Sequence, residues 1–93
     1  MELPINYAKA HWTTKRTARQ QYAQQQGEKC WYCNKPLISP PSKKVQKMSV
    51  NKSLFPKGFF IRPTHLHHDH NTGMTIGTVH SKCNAVLWQY HGE

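Results

Sequence analysis

The chain has 93 residues, with 13 Lys and Arg against 4 Asp and Glu, a formal net charge of +9. That length makes one domain barely able to bury a core unaided, and with 37% hydrophobic residues and no apolar run near about 18 it holds no membrane span. Glu2, Glu28, Asp69 and Glu93 are too few and scattered for aspartic proteases, retaining glycosidases or carboxylate-cluster nucleases.

Met1-Glu2-Leu3-Pro4 lacks a basic segment followed by an apolar one, so no secretory signal is read and the cytoplasm is the expected location. The 3 cysteines there point to a metal rather than to disulfides. The positive charge makes a polyanion the first partner to consider.

Residues 5–27 read as a basic, polar helix and residues 1–27 as a helical N-terminal segment. Ala18 and Tyr22 lie four apart, Gly27 is a natural stop, and Thr13 or Thr14 is an alternative cap for a second, shorter helix. Lys9, Lys15, Arg16 and Arg19 make this segment either a solvated face or a phosphate-contacting one. Cys30-Trp31-Tyr32-Cys33 then forms a tight turn bearing two thiols. A Lys-rich loop at about residues 39–58 follows, in which Pro40-Pro41 forbids a regular helix or central strand. Its Lys43, Lys44, Lys47, Lys52 and Lys57 suit an arm that touches nucleic acid, or a merely soluble loop.

Phe59-Phe60-Ile61 is a β-prone run leading to Thr64-His65-Leu66-His67-His68-Asp69-His70. Asn71-Thr72-Gly73 has turn chemistry, and Met74 to Val79 alternates as a returning strand. Ser81 can cap a helix that places Cys83, Val86, Leu87 and Tyr90 on one face and stops at Gly92. The expected fold is a small zinc-stabilised α+β domain over residues 28–93, in the order strand, turn, strand, helix.

Cys30-x-x-Cys33 puts two thiolates on one turn, as a tetrahedral ion requires, and His80-x-x-Cys83 adds a second pair one helical turn apart. Together they predict a Cys₃His structural zinc site using every cysteine. His65, His67, His70 and His91 compete for the fourth position, which helix-start spacing gives to His80. Four protein ligands close the site, so this zinc braces the fold and leaves no position for catalysis.

His65, His67, His68 and His70 fall within six residues. The bland account is a basic surface segment or an adventitious metal trap. The alternative is chemistry, since imidazole titrates near neutrality and suits a general base, with neighbouring His and Asn groups holding a cation.

Leu66-His67-His68-Asp69-His70-Asn71-Thr72-Gly73, followed by Gly77-Thr78-Val79-His80-Ser81-Lys82-Cys83-Asn84-Ala85, resembles the HNH endonuclease family. It is most similar to the phage recombination endonuclease VII branch, over roughly residues 28–90. The resemblance implies a ββα-metal (His-Me finger) fold and a metal-dependent DNA endonuclease. By position it makes His68 the general base, gives His67 and Asn84 to a catalytic divalent ion, and sets His70 against the scissile phosphate. It makes Cys30, Cys33 and Cys83 zinc ligands, with His80 replacing the fourth cysteine. His67 stands where that branch has an aspartate, as in the His-His pair of colicin-type HNH nucleases. Neutral donors widen the expected ion from Mg²⁺ or Mn²⁺ to Ni²⁺, Co²⁺ or Zn²⁺. Strand alternation sends Asp69 to the face opposite His68 and His70, and lets His67 and His68 share a site only if the strand bends or ends there.

Lys15, Arg16, Arg19, Lys43, Lys44 and Arg62 are the expected nucleic-acid contacts. Trp31, Tyr32 and Trp88 read as zinc cover or core, with base stacking as the alternative. A single site nicks one strand, and monomer and homodimer both stay open. The competing function is a non-catalytic zinc-binding DNA- or RNA-binding module. A C₂H₂ finger fails because Cys33 to His65 is too long a loop.

Overall fold

The computed structural model describes residues 1–92. Helix α1 (Trp12–Gln25) begins later than the sequence suggests, with His11 as its N-cap: the imidazole Nδ1 accepts from the Thr13 backbone N–H at 3.3 Å. Residues before it are not helical. Ile5 and Thr75 exchange hydrogen bonds, Asn6 bridges Met74, and the Tyr7 N–H donates to the Gly73 carbonyl at 2.8 Å. The helical expectation over 5–11 therefore gives way to a short extended bridge at 5–6 and a turn at 7–9, because Pro4 and Ile5 open the run and the hairpin offers unsatisfied backbone groups.

Within the Lys-rich stretch, Pro41 precedes the Ser42 N-cap, and α2 (Lys43–Lys47) buries Val45. The prolines thus bound a short helix instead of forbidding one, consistent with proline's place just before or at a helix start. A 3₁₀ turn follows at Lys52–Leu54. Phe59-Phe60-Ile61 does not form a strand. Phe55, Phe59 and Phe60 gather into turns, with ring centroids 4.7 to 5.7 Å apart.

Strands β1 (Thr64–His68) and β2 (Thr75–His80) form a two-stranded antiparallel sheet, and α3 (Ser81–His91) follows directly. His80 is the α3 N-cap instead of Ser81, and Gly92 ends the helix with φ of 71°, the left-handed C-cap expected of glycine. Cys83, Val86 and Leu87 are buried as the helical pattern predicts, whereas Tyr90 is exposed and donates to the Ser49 carbonyl at 2.6 Å.

The core has two halves, one on each face of the sheet. Ala18 and Tyr22 of α1 pack with Leu66 of β1. Val79 of β2 packs with Cys30, Leu37, Val45, Cys83, Val86 and Leu87. The outer edge of β2 is closed by a side chain: the Gln26 carboxamide donates to the Thr78 carbonyl at 2.9 Å and accepts from the Thr78 N–H at 3.0 Å, while Trp31 N–H donates to the same carbonyl. Gly77 permits this approach, since a Cβ there would lie 2.7 Å from Gln26 Oε1 and 3.0 Å from the Trp31 ring. No described helix is long and apolar enough to cross a membrane.

Candidate functional site

The four metal-binding candidates converge. Cys30, Cys33, His80 and Cys83 place one ligand atom each within 4.8 Å of all the others, with Cys33 Sγ 3.4 Å and Cys83 Sγ 3.6 Å from His80 Nδ1. A tetrahedral ion with bonds of about 2.0–2.3 Å separates its ligand atoms by about 3.5–3.8 Å, so the cluster could hold zinc with little movement. Local backbone explains the convergence. Cys30 and Cys33 lie on a turn closed by Asn34 N–H to Cys30 carbonyl and Cys30 N–H to Lys35 carbonyl, with Asn34 at φ of 63°. His80 and Cys83 sit at the β2–α3 junction.

His80 Nε2 lies 2.9 Å from the Pro36 carbonyl. Donation there fixes the tautomer and turns the Nδ1 lone pair to the ligand cluster, the outer-shell bond typical of metal-bound imidazoles. Without an ion, the Cys83 thiol donates to Cys30 Sγ, which holds Cys30 down to about 4 and pushes Cys83 up. The pair thus keeps a proton that metal binding would displace. His91, a competing ligand in the sequence, instead lies 3.3 Å from the Tyr32 hydroxyl.

A cleft of about 900 Å³ runs along β1, between α1, the 54–63 segment and α3. Lys15, Arg16, Arg19, Lys57 and Arg62 line it together with His65, His68, His70 and Asn84, and among the described residues no carboxylate does. Arg19 has its pKa lowered by partial burial and then by the charges of Arg62 and Arg16. Such a set of guanidiniums favours a bound anion.

His68 stacks on Tyr7 with ring centroids 4.0 Å apart and planes 9° apart, and His70 lies 4.9 Å away. Lys15 Nζ sits 4.0 Å from the Tyr7 ring centre. Burial, followed by the charges of His70, His67 and Lys15, lowers the His68 pKa, favouring the neutral imidazole that a base needs. Asp69 does not enter the cleft chemistry; its Oδ1 accepts from the Asn71 and Thr72 N–H groups and holds the hairpin turn.

His67 departs from expectation. It is 1% exposed, its ring lies 5.5 Å from that of Trp31, and it does not line the cleft. The register does shift between His67 and His68, but the extra residue is Ile76 on β2, so β1 keeps its alternation and the two imidazoles stay on opposite faces. Asn84 instead pairs with His65, whose Nδ1 is 3.1 Å from Asn84 Nδ2. The expected ligand pair for a catalytic ion, His67 with Asn84, is thus not brought together. Burial lowers the His65 pKa most, and a hydrogen bond to the Phe59 backbone opposes it.

Of the expected nucleic-acid contacts, Lys15, Arg16, Arg19 and Arg62 share the cleft. Lys43 and Lys44 are exposed on α2, outside its lining. His65, expected only as one of the histidine cluster, and Lys57, expected only as one of the Lys-rich loop, both line the cleft. The sequence reading passed over Tyr7 and Trp12, which carried no signal there.

Neither a protein-family model, nor a curated protein, nor a solved structure matches the chain.

Proposed function

We propose that the protein is a zinc-braced DNA endonuclease of the HNH, ββα-metal type that nicks one strand per active site. The observation carrying this reading is His68: a partly buried imidazole fixed against Tyr7, biased to its neutral form, in a cleft that it shares with Arg16, Arg19 and Arg62 and that no described carboxylate lines. The β1–β2–α3 order and the sequence motifs add to it.

In this reading His68 removes a proton from water as the water oxygen attacks phosphorus in line with the 3′ oxygen. His70 contacts the phosphate. Arg19 and Arg62 neutralise charge on its non-bridging oxygens, and the departing 3′ oxygen takes its proton from solvent. Asn84 and His65, within hydrogen-bond reach of each other, fit a divalent ion as neutral oxygen and nitrogen donors. The chemistry such an ion supplies when bound is Lewis-acid stabilisation of the leaving oxygen. That donor set suits Mn²⁺, Ni²⁺, Co²⁺ or Zn²⁺ better than Mg²⁺.

A second reading, a zinc-stapled nucleic-acid-binding module without catalysis, draws on one observation: burial of His67 takes the expected imidazole away from the cleft. The deciding experiment incubates supercoiled plasmid with zinc-loaded protein across divalent ions, beside His68→Ala. Nicked circle that vanishes in the variant while DNA binding persists supports the nuclease. Binding without cleavage, equal in both proteins, leaves the module.

A further inference from the structure

Two indoles flank the cleft from different helices and stay open to solvent. Trp12, in the first turn of α1, is 63% exposed, and Trp88, on α3, is 41% exposed. In a domain this short of core, large aromatic side chains are the most valuable groups to bury. Leaving two of them on facing walls of one concave site calls for an occupant with flat apolar faces.

The surroundings define that occupant further. Arg16 lies 5.6 Å from the Trp12 ring centre, and Phe55 meets Trp88 edge-on at 5.6 Å and 70°, holding that indole in place. Rings and guanidiniums therefore share the cleft, and no carboxylate of the described residues opposes an anion there. Aromatic faces beside cations match a polyanion whose bases are free to stack. In a duplex those base faces are covered by their neighbours, and recognition passes through the base edges in the grooves.

We infer that the cleft binds single-stranded DNA, with unstacked bases against Trp12 and Trp88 and phosphates along Arg16, Arg19 and Arg62. This rests on the nucleic-acid-binding part of the proposed function and names its substrate form. It does not depend on cleavage.

The test measures fluorescence anisotropy of an end-labelled oligothymidylate and of a matched duplex with the zinc-loaded, full-length protein. Wild type binds the single strand more tightly. Trp12→Ala and Trp88→Ala each weaken that binding about tenfold, as expected for loss of one stacked base, and leave duplex binding unchanged. Trp88→Phe restores most of the loss, because a ring face is kept. Trp88 touches Phe55, so its variants are compared by thermal melting and near-UV circular dichroism. Trp12, at the rim, gives the same answer without that concern. Unchanged single-strand affinity in Trp12→Ala, or equal losses for both DNA forms, overturns the inference.

Cleavage of the labelled oligothymidylate and nicking of plasmid by the same preparations separate the two ideas. Stacking without cleavage of either DNA leaves the single-strand cleft and removes the nuclease. Nicking with no single-strand preference removes the cleft's substrate form and leaves the nuclease.

Discussion

The two flanks of the small sheet solve opposite problems. On the Val79 side, two buried thiols, a half-buried one and a buried imidazole gather together, supported by the Pro36 carbonyl. On the β1 side, cationic and imidazole groups face an open cleft with no carboxylate of the described residues to balance them. The first flank collects donors until it is closed, and stability follows. The second keeps charge uncompensated, and so retains the capacity to bind. In a domain of this size an ion at the Cys₃His cluster would supply what the modest apolar core does not.

The largest expected effect breaks that dependence directly. Structural zinc contributes about 10–16 kcal/mol of apparent binding free energy in small domains, comparable with or larger than a typical total folding stability of about 5–15 kcal/mol. Cys83→Ser, or a strong chelator, should abolish the cooperative thermal transition seen by circular dichroism. Metal analysis of the intact protein should find zinc that the variant lacks. A variant that melts as wild type would mean the two flanks are independent.

Next in size, His68→Ala should lower the nicking rate by about 10²–10⁴-fold, the usual worth of a positioned general base, while anisotropy reports unchanged DNA affinity. A smaller change separates attraction from chemistry. Arg19→Gln and Arg62→Gln should each reduce the slope of log affinity against log salt by about one, without altering the zinc content.

The smallest effect concerns pH. The His68 pKa is lowered from 6.5, by burial first and then by the charges of His70, His67 and Lys15. A base must be neutral, so the proposed nicking should be full above the His68 pKa and lost as pH falls through it, with the midpoint below 6.5. His70→Ala removes one of the opposing charges and should move that midpoint upward in a rate–pH series. An unmoved midpoint would assign the titration to another group.

The metal flank was readable because it is written in spacing. Cys30-x-x-Cys33 and His80-x-x-Cys83 need only a turn and a helix start to converge, and both are local structures. Gly92 at the end of α3 and the Asn71-Thr72-Gly73 turn were legible for the same reason. The cleft was readable only in part, because it is assembled from segments far apart in the chain. Tyr7 reaches His68 only because residues 5–7 pair with the hairpin, and Trp12 reaches the cleft only because His11 caps α1. His67 shows the reverse case. The period-two alternation of a strand already separates it from His68, and the structure follows the alternation. Phe59-Phe60-Ile61 misled because β propensity reflects a pleated, half-buried surface, and these rings found one another in turns instead.

The Gln26 carboxamide, bonded to both backbone groups of Thr78, acts as a one-residue imitation of a neighbouring strand. A sheet finished in this way offers no template on that side for another chain to extend. Arg19, Arg62, His65, His68 and His70 line the cleft that runs along β1, and such cations would repel a second copy of themselves. The groups proposed to hold a polyanion would therefore also discourage pairing of β1 with another chain.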